Sequence, residues 1–179
     1  YETRKAIDLL APYVEGMNID IKSFSDEFYK EICGVRLKPV LEAVKYAHEK
    51  GIWIEITTLL IPGKNDSDEE IRAIAKFIAE VDKSMPWHLS AFHPTYKMLD
   101  VPRTPESTLL RAYKIGQEEG LKYVYIGNVD NKDYESTYCP NCKKRVIDRS
   151  GNIGQYVTNE LDENGKCPYC GYMLEGVWH

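Results

Sequence analysis

The sequence has no apolar run approaching the about 20 residues that a membrane-spanning helix requires. It also lacks an excess of positive charge: 23 Lys and Arg stand against 28 Asp and Glu, a net charge of -5. A surface that binds phosphates without regard to sequence needs the opposite balance, so a general nucleic-acid-binding role is not expected. Lys143, Lys144 and Arg145 are a local basic run within that acidic background. The opening Tyr-Glu-Thr-Arg-Lys is neither a signal peptide nor a transit peptide, and the expected location is the cytoplasm. Short-period repeats and low-complexity tracts are missing. A disulfide framework is not expected either, because the five cysteines are odd in number and four of them fall in two C-x-x-C pairs.

With 43% apolar and 28% charged residues, the 179-residue chain has the composition of a globular protein able to bury a core. From the start to about residue 128 it alternates helical and strand patterns, as repeated βα units on a parallel sheet do. A helix is expected over 3–14, with Ala6, Ile7, Leu10 and Ala11 on one face, then a short strand over 16–22. Ser25 caps a short helix that stops at Gly34, and Pro39 opens another that ends at Gly51. Residues 52–61 (IWIEITTLLI) are β-branched and nearly all apolar, the pattern of a strand covered on both faces. Asp66 or Ser67 caps a helix with Asp68, Glu69 and Glu70 in its first turn and an apolar stripe from Ile71 to Val81. A third strand is expected over 87–93, a helix capped by Thr104 with Pro105 at its first position, and a fourth strand over 121–127. Four strands make about half of an eight-stranded barrel. A polar linker follows, with the domain boundary near 130–138.

Beyond the linker, Cys139-Pro140-Asn141-Cys142 and Cys167-Pro168-Tyr169-Cys170-Gly171 are two knuckles separated by 24 residues. Thiolates at i and i+3 of a tight turn converge on one ion, and a hairpin can bring the two turns together. The four cysteines are expected to hold structural Zn2+, with a single Fe as the alternative because rubredoxins share this style of motif. A module of this size has little core, so the metal supplies much of its stability. Cys33 is expected to be an inert buried thiol.

In parallel βα folds reactive groups gather at the C-terminal ends of the strands. Asp20 and Lys22 share a face at the first strand, Glu55, Thr57 and Thr58 lie on the second, Ser90 and His93 on the third, and Asn128 after the fourth. An Asp–Lys pair is more often a local ion pair than a ligand grip, and a lone His after a strand is more often structural. Their coincidence on successive strands points to a pocket.

Three segments, Asn18-Ile19-Asp20-Ile21-Lys22-Ser23-Phe24, residues 53–66 (WIEITTLLIPGKND) and Ser90-Ala91-Phe92-His93-Pro94, resemble the back half of the radical S-adenosylmethionine (SAM) activating enzymes of the pyruvate formate-lyase-activating type. With Tyr125-Ile126-Gly127-Asn128, the cysteine ribbon and the closing Gly176-Val177-Trp178, the whole chain is similar to the radical enzymes of the AmmeMemoRadiSam system. The implied fold is α/β: half of a partial TIM-like barrel over 1–130, then a rubredoxin-like zinc ribbon over 131–179. The resemblance implies that Asp20 and Lys22 hold the amino and carboxylate ends of the methionine part of SAM. Thr57 stands where the pyruvate formate-lyase activator has an Arg, with Thr58 adjacent, and His93 would lie near the methionine carboxylate or the ribose.

The chain departs from the family in having neither the C-x3-C-x2-C motif that binds a 4Fe-4S cluster nor a Gly-Gly-Glu-type segment. Tyr1 matches the close of an Asn-Gly-Tyr-like turn at the family's third strand. The resemblance therefore implies a C-terminal piece of an enzyme that cleaves SAM to a 5′-deoxyadenosyl radical and acts on an unknown small molecule or protein. Alone it is expected not to bind the cluster or turn over, and to dimerise through open barrel edges. Two other readings are a ribbon module that binds a protein or nucleic acid, and a rubredoxin-like electron carrier. Visible absorption separates the iron-containing reading from the others, since zinc is colourless.

Overall fold

The computed structural model describes residues 2–149 and 158–178. Tyr1, and with it the turn expected there, lies outside the described residues. Four parallel strands, β1 (Gly16–Asp20), β2 (Trp53–Leu60), β3 (Trp87–Ala91) and β4 (Val124–Gly127), lie side by side in chain order. The helices are α1 (Arg4–Leu10), α2 (Asp26–Phe28) running into a π-helical turn at Tyr29–Cys33, α3 (Leu37–Glu49), α4 (Asp68–Val81) and α5 (Glu106–Glu118).

Local chemistry sets the boundaries. Ser25 and Ser67 cap α2 and α4 by accepting from the N–H groups of Phe28 and Glu70, each at 3.2 Å, and α4 then carries three acidic residues in its first turn. Pro39 falls in the first turn of α3, not at its start, where its missing N–H costs nothing. α1 is shorter than expected: it ends at Leu10, only Ile7 is buried, and Leu9 and Leu10 are exposed. Thr104 does not cap α5. Its buried hydroxyl donates to the Leu60 carbonyl at 2.6 Å and accepts from the Phe92 N–H at 2.8 Å, stitching the ends of β2 and β3, and Pro105 takes the cap position.

The apolar stripes of α3, α4 and α5 cover one face of the sheet, against Ile54, Ile56, Leu60, Trp87, Leu89, Val124 and Ile126. Each such side chain, fully buried, contributes about 1.5–3 kcal/mol. The other face is not covered in the same way. Along β2 burial alternates residue by residue, so the expectation of a strand enclosed on both sides is corrected: Trp53, Glu55, Thr57 and Leu59 lie on a half-open face. β1, β3 and β4 alternate likewise.

A second, antiparallel sheet of β5 (Thr137–Tyr138), β6 (Arg145–Asp148) and β7 (Thr158–Asn159) carries the ribbon. It packs on β4 through a small cluster of Tyr123, Cys139, Val146, Ile147, Cys167 and Leu174. The linker touches the outer edge of β4, where the Ile126 N–H donates to the Tyr134 carbonyl at 3.2 Å.

One buried side chain ties the first two strand ends together. The Asn65 amide donates to the carbonyls of Lys22 at 2.5 Å and Leu59 at 2.9 Å, and its oxygen accepts from the Ile61 N–H at 2.6 Å. Replacing it leaves one buried and two part-buried backbone groups without this partner, so Asn65→Ala is expected to cost about 2–3 kcal/mol in urea unfolding.

Candidate functional site

Register places the polar side chains of the half-open face in rows. Asp20, Thr57, His88 and Tyr125 are partners across all four strands, and the Asn18–Glu55 pair lies in the row below. With strands about 4.8 Å apart, Asp20 and His88 stand about 10 Å from one another. At the end of β1, Lys22 Nζ lies 2.9 Å from Asp20 Oδ2, both half-exposed. The Lys22 backbone is fixed on both sides: its N–H donates to the Tyr29 hydroxyl at 3.0 Å and its carbonyl takes the Asn65 bond. Burial pushes the Tyr29 phenol up to about 12, so it stays a neutral hydroxyl. Thr57 donates to Asn18 Oδ1 at 3.0 Å on the same face. Asp20, Lys22, Tyr29 and Cys33 line a cavity of about 510 Å³.

Thr58 is elsewhere. It is fully buried on the helix-covered face, donating to the Ile21 carbonyl at 2.8 Å and accepting from Trp87 Nε1 at 2.9 Å. Strand alternation sends adjacent residues to opposite faces, so Thr57 and Thr58 cannot share a pocket. His93 is exposed just beyond β3, and Asn128 donates to the Ala91 carbonyl at 3.2 Å. Cys33 is half-buried, not fully enclosed, and burial raises its thiol.

Sequence reasoning passed over His88, Tyr125 and Arg149. His88 Nε2 meets Glu55 Oε2 at 2.7 Å, and its ring stacks on Tyr125 with centroids 5.0 Å apart and planes at 20°. The Tyr125 hydroxyl bonds Thr137 Oγ1 at 2.9 Å, and Arg149 reaches the same Thr137 oxygen at 2.7 Å from the ribbon. The signal was present: residues 53, 55 and 57, then 88 and 90, alternate polar or amphipathic groups at period two. The hydrogen bond from His88, opposed by burial, holds the Glu55 carboxyl below its ordinary value.

The four remaining cysteines converge, all Sγ atoms lying within 4.8 Å of one another. Cys139–Cys170 at 3.6 Å and Cys142–Cys167 at 3.7 Å match the about 3.8 Å edge of a tetrahedron with about 2.3 Å metal–sulfur bonds. The donor set therefore fits a tetrahedral thiolate ion. The knuckles share one backbone pattern: Cys139 N–H to Lys144 O and Lys143 N–H to Cys139 O in the first, Cys167 N–H to Tyr172 O and Gly171 N–H to Cys167 O in the second. The Tyr172 N–H pointing at its sulfur lowers the Cys170 thiol to about 6, whereas burial raises Cys139 to about 12. A bound cation deprotonates all four.

Each knuckle needs a left-handed residue at its fifth position, φ 61° at Lys143 and 73° at Gly171. A lysine there carries strain of about 1–2 kcal/mol, partly offset by the lower chain entropy of a non-glycine. Lys143→Gly is accordingly expected to raise stability by about 0.5 kcal/mol in thermal melts of the metal-loaded chain. The depressed Glu55 carboxyl contributes stability above its unfolded value and loses it as pH falls through the folded one, from about 4.5 downward. Glu55→Gln should flatten that part of the acid-unfolding profile.

The family model described as the radical SAM superfamily matches residues 1–78. An uncharacterized protein of Methanocaldococcus jannaschii is 45% identical over 165 residues, covering 92% of this chain and 49% of that protein. The pyruvate formate-lyase 1-activating enzyme of Escherichia coli is 25% identical over 130 residues, 66% of this chain and 53% of the enzyme. The chain thus spans about half the length of these relatives. A solved domain of a pyruvate-formate lyase-activating enzyme from Bacteroides vulgatus superposes with a TM-score of 0.61 at 21% identity, over 70% of this chain and 75% of that one, and so shares its fold. Residues 1–78 are a radical SAM superfamily segment, and the chain that carries them is homologous to the pyruvate formate-lyase-activating and glycyl-radical-enzyme-activating enzymes.

Proposed function

We propose that this chain is the methionine-binding side and the zinc-ribbon end of a radical SAM activating-type enzyme of the cytoplasm. The observation that carries the reading is the Asp20–Lys22 pair, 2.9 Å apart on the half-open face at the end of β1. An amino acid's ammonium and carboxylate need an acceptor and a cationic donor side by side, and a zwitterion can exchange the single Asp20–Lys22 bond for two charge-assisted ones. Tyr29 and Asn65 keep the Lys22 backbone still while this happens. Thr57 offers a neutral hydroxyl in the same row, and exposed His93 serves the carboxylate or the ribose from the loop after β3. When bound, SAM and a 4Fe-4S cluster supply a 5′-deoxyadenosyl radical. This chain's part is to orient the methionine end and bound the chamber.

The five cysteines of the chain include no C-x3-C-x2-C set, so the cluster ligands belong to the remainder of a protein about twice this length, and these 179 residues alone do not turn over. The four ribbon cysteines hold Zn2+ in a structural role. Their closed set of four thiolates leaves no position for a substrate. The exposed edge of β1 is the place where either the remainder of the barrel or a second copy of the chain adds a strand.

In the native full-length protein, Asp20→Asn and Lys22→Ala are each expected to weaken SAM about tenfold or more by calorimetry, the worth of one charge-assisted hydrogen bond. Thr58→Val should leave affinity unchanged. Equal affinity in all variants would sink the reading. For these 179 residues alone, without the cluster-binding remainder, elemental analysis should give one zinc per chain and a colourless protein; iron with visible absorption would favour the electron-transfer alternative.

A further inference from the structure

The half-open face carries a second group of side chains, two strands away from the Asp20–Lys22 pair and unused by it. His88 sits in the same row as Asp20 and Thr57, half-buried, with Nε2 against Glu55 Oε2 at 2.7 Å. Glu55 is itself held from its other oxygen by Trp53 Nε1 at 3.4 Å. The imidazole plane is set by the Tyr125 ring stacked on it, and Tyr125 is anchored in turn to Thr137 of the ribbon. Edge, face and anchor are thus all fixed, and rigid support of this kind is what a contact residue needs.

The chemistry follows from the carboxylate. A carboxylate accepts and does not donate, so the nitrogen facing Glu55 carries the proton. In its neutral form the ring is thereby held with its proton on Nε2 and a lone pair on Nδ1, the arrangement by which carboxylates orient histidines at metal and nucleophile sites. Against it stand Glu55 on β2 and Tyr125 on β4, with Arg149 of the ribbon over the Tyr125 ring; these three residues, with Trp53 and Trp178, also border a cavity of about 320 Å³ between sheet and ribbon, next to His88 and not lined by it. If the methionine end of SAM occupies β1 and β2, a second reactant has β3 and β4 left to bind.

Resting on that assignment, we infer that His88 is the substrate-side contact residue of this face and Glu55 its positioning residue, with Nδ1 accepting a hydrogen bond from a substrate N–H or O–H. The substrate class so selected is an amide or alcohol, and a pure acceptor such as a ketone or tertiary amide is not held. Glu55→Gln disrupts the contact without touching the reactant: its amide can present either an acceptor or a donor to Nε2, and the tautomer is no longer fixed.

The test uses the zinc-loaded chain with 15N-labelled imidazoles, and His48 on α3 as the internal reference. His88 is expected in the Nε2–H form, and Glu55→Gln to yield a mixture of tautomers. N-methylacetamide, which has one N–H, should shift His88 Nδ1 saturably. N,N-dimethylacetamide, which has none, should not, and His48 should respond to neither. An Nδ1–H form in the unsubstituted chain, an unchanged tautomer in Glu55→Gln, or an amide response equal to that of His48 overturns the inference. In the native full-length protein His88→Asn should leave SAM affinity within twofold, whereas Asp20→Asn weakens it. Loss of SAM binding in His88→Asn would make His88 a cofactor residue and refute its substrate role. An unchanged affinity in Asp20→Asn would refute the SAM assignment while leaving the tautomer and amide results to be judged separately.

Discussion

The constraint on which the rest depends is that the parallel sheet is covered by helices on one side only. A strand's side chains alternate, so a one-sided cover divides every strand into a buried set and a set left for chemistry. Ile54, Ile56, Thr58 and Leu60 go to the helices, and Glu55 and Thr57 go to the other face, with the parallel register lining them up with Asp20, His88 and Tyr125. No loop is needed to assemble that row. It comes from period two and from strand neighbours pairing in chain order, and it is kept still by the side chains that stitch the strand ends, Asn65 between β1 and β2 and Thr104 between β2 and β3.

The ribbon is more than an appendix to this sheet. Tyr123, just before β4, and Tyr125 on it pack against the ribbon, and its last turn returns Glu175 to the hydroxyls of Tyr123 at 2.8 Å and Tyr172 at 2.9 Å and to the ammonium of Lys122. Tyr172 is also the residue whose carbonyl and N–H serve the second knuckle. Trp178 then folds over Gly165, at φ 76° and without a side chain, and donates to the Leu174 carbonyl at 3.0 Å. Metal ligation and the lower end of the half-open face are therefore parts of one packed unit.

Much of this was legible in the sequence, and the failures share a cause. The cysteine knuckles were readable because ligand spacing is a local property. The helices with long apolar stripes, α3 and α4, were readable because periodicity is local too. The shared face of Asp20, Lys22 and Thr57 follows from counting along the strands. Thr58 does not join that face: adjacency along a strand is not adjacency in space, and its buried bonds to Ile21 and Trp87 come from partners 37 and 29 residues away. The place of His88 is not legible from the sequence, since only the register of β2 against β3 sets it beside Glu55. Thr104 looked like a helix cap and became a strand staple for the same reason: its acceptor, Leu60, is 44 residues distant.

The two edges of the parallel sheet are not alike. The linker already occupies a bond on the outer side of β4 and the ribbon packs against that strand, whereas β1 has alternate residues exposed along its length. Growth of the sheet by addition of strands is consequently unidirectional, with a capped terminus at β4 and an extensible one at β1. In an assembly line of βα units, such asymmetry fixes the order of accretion: a further strand has its place beside β1, and the ribbon-bearing end serves as the stop.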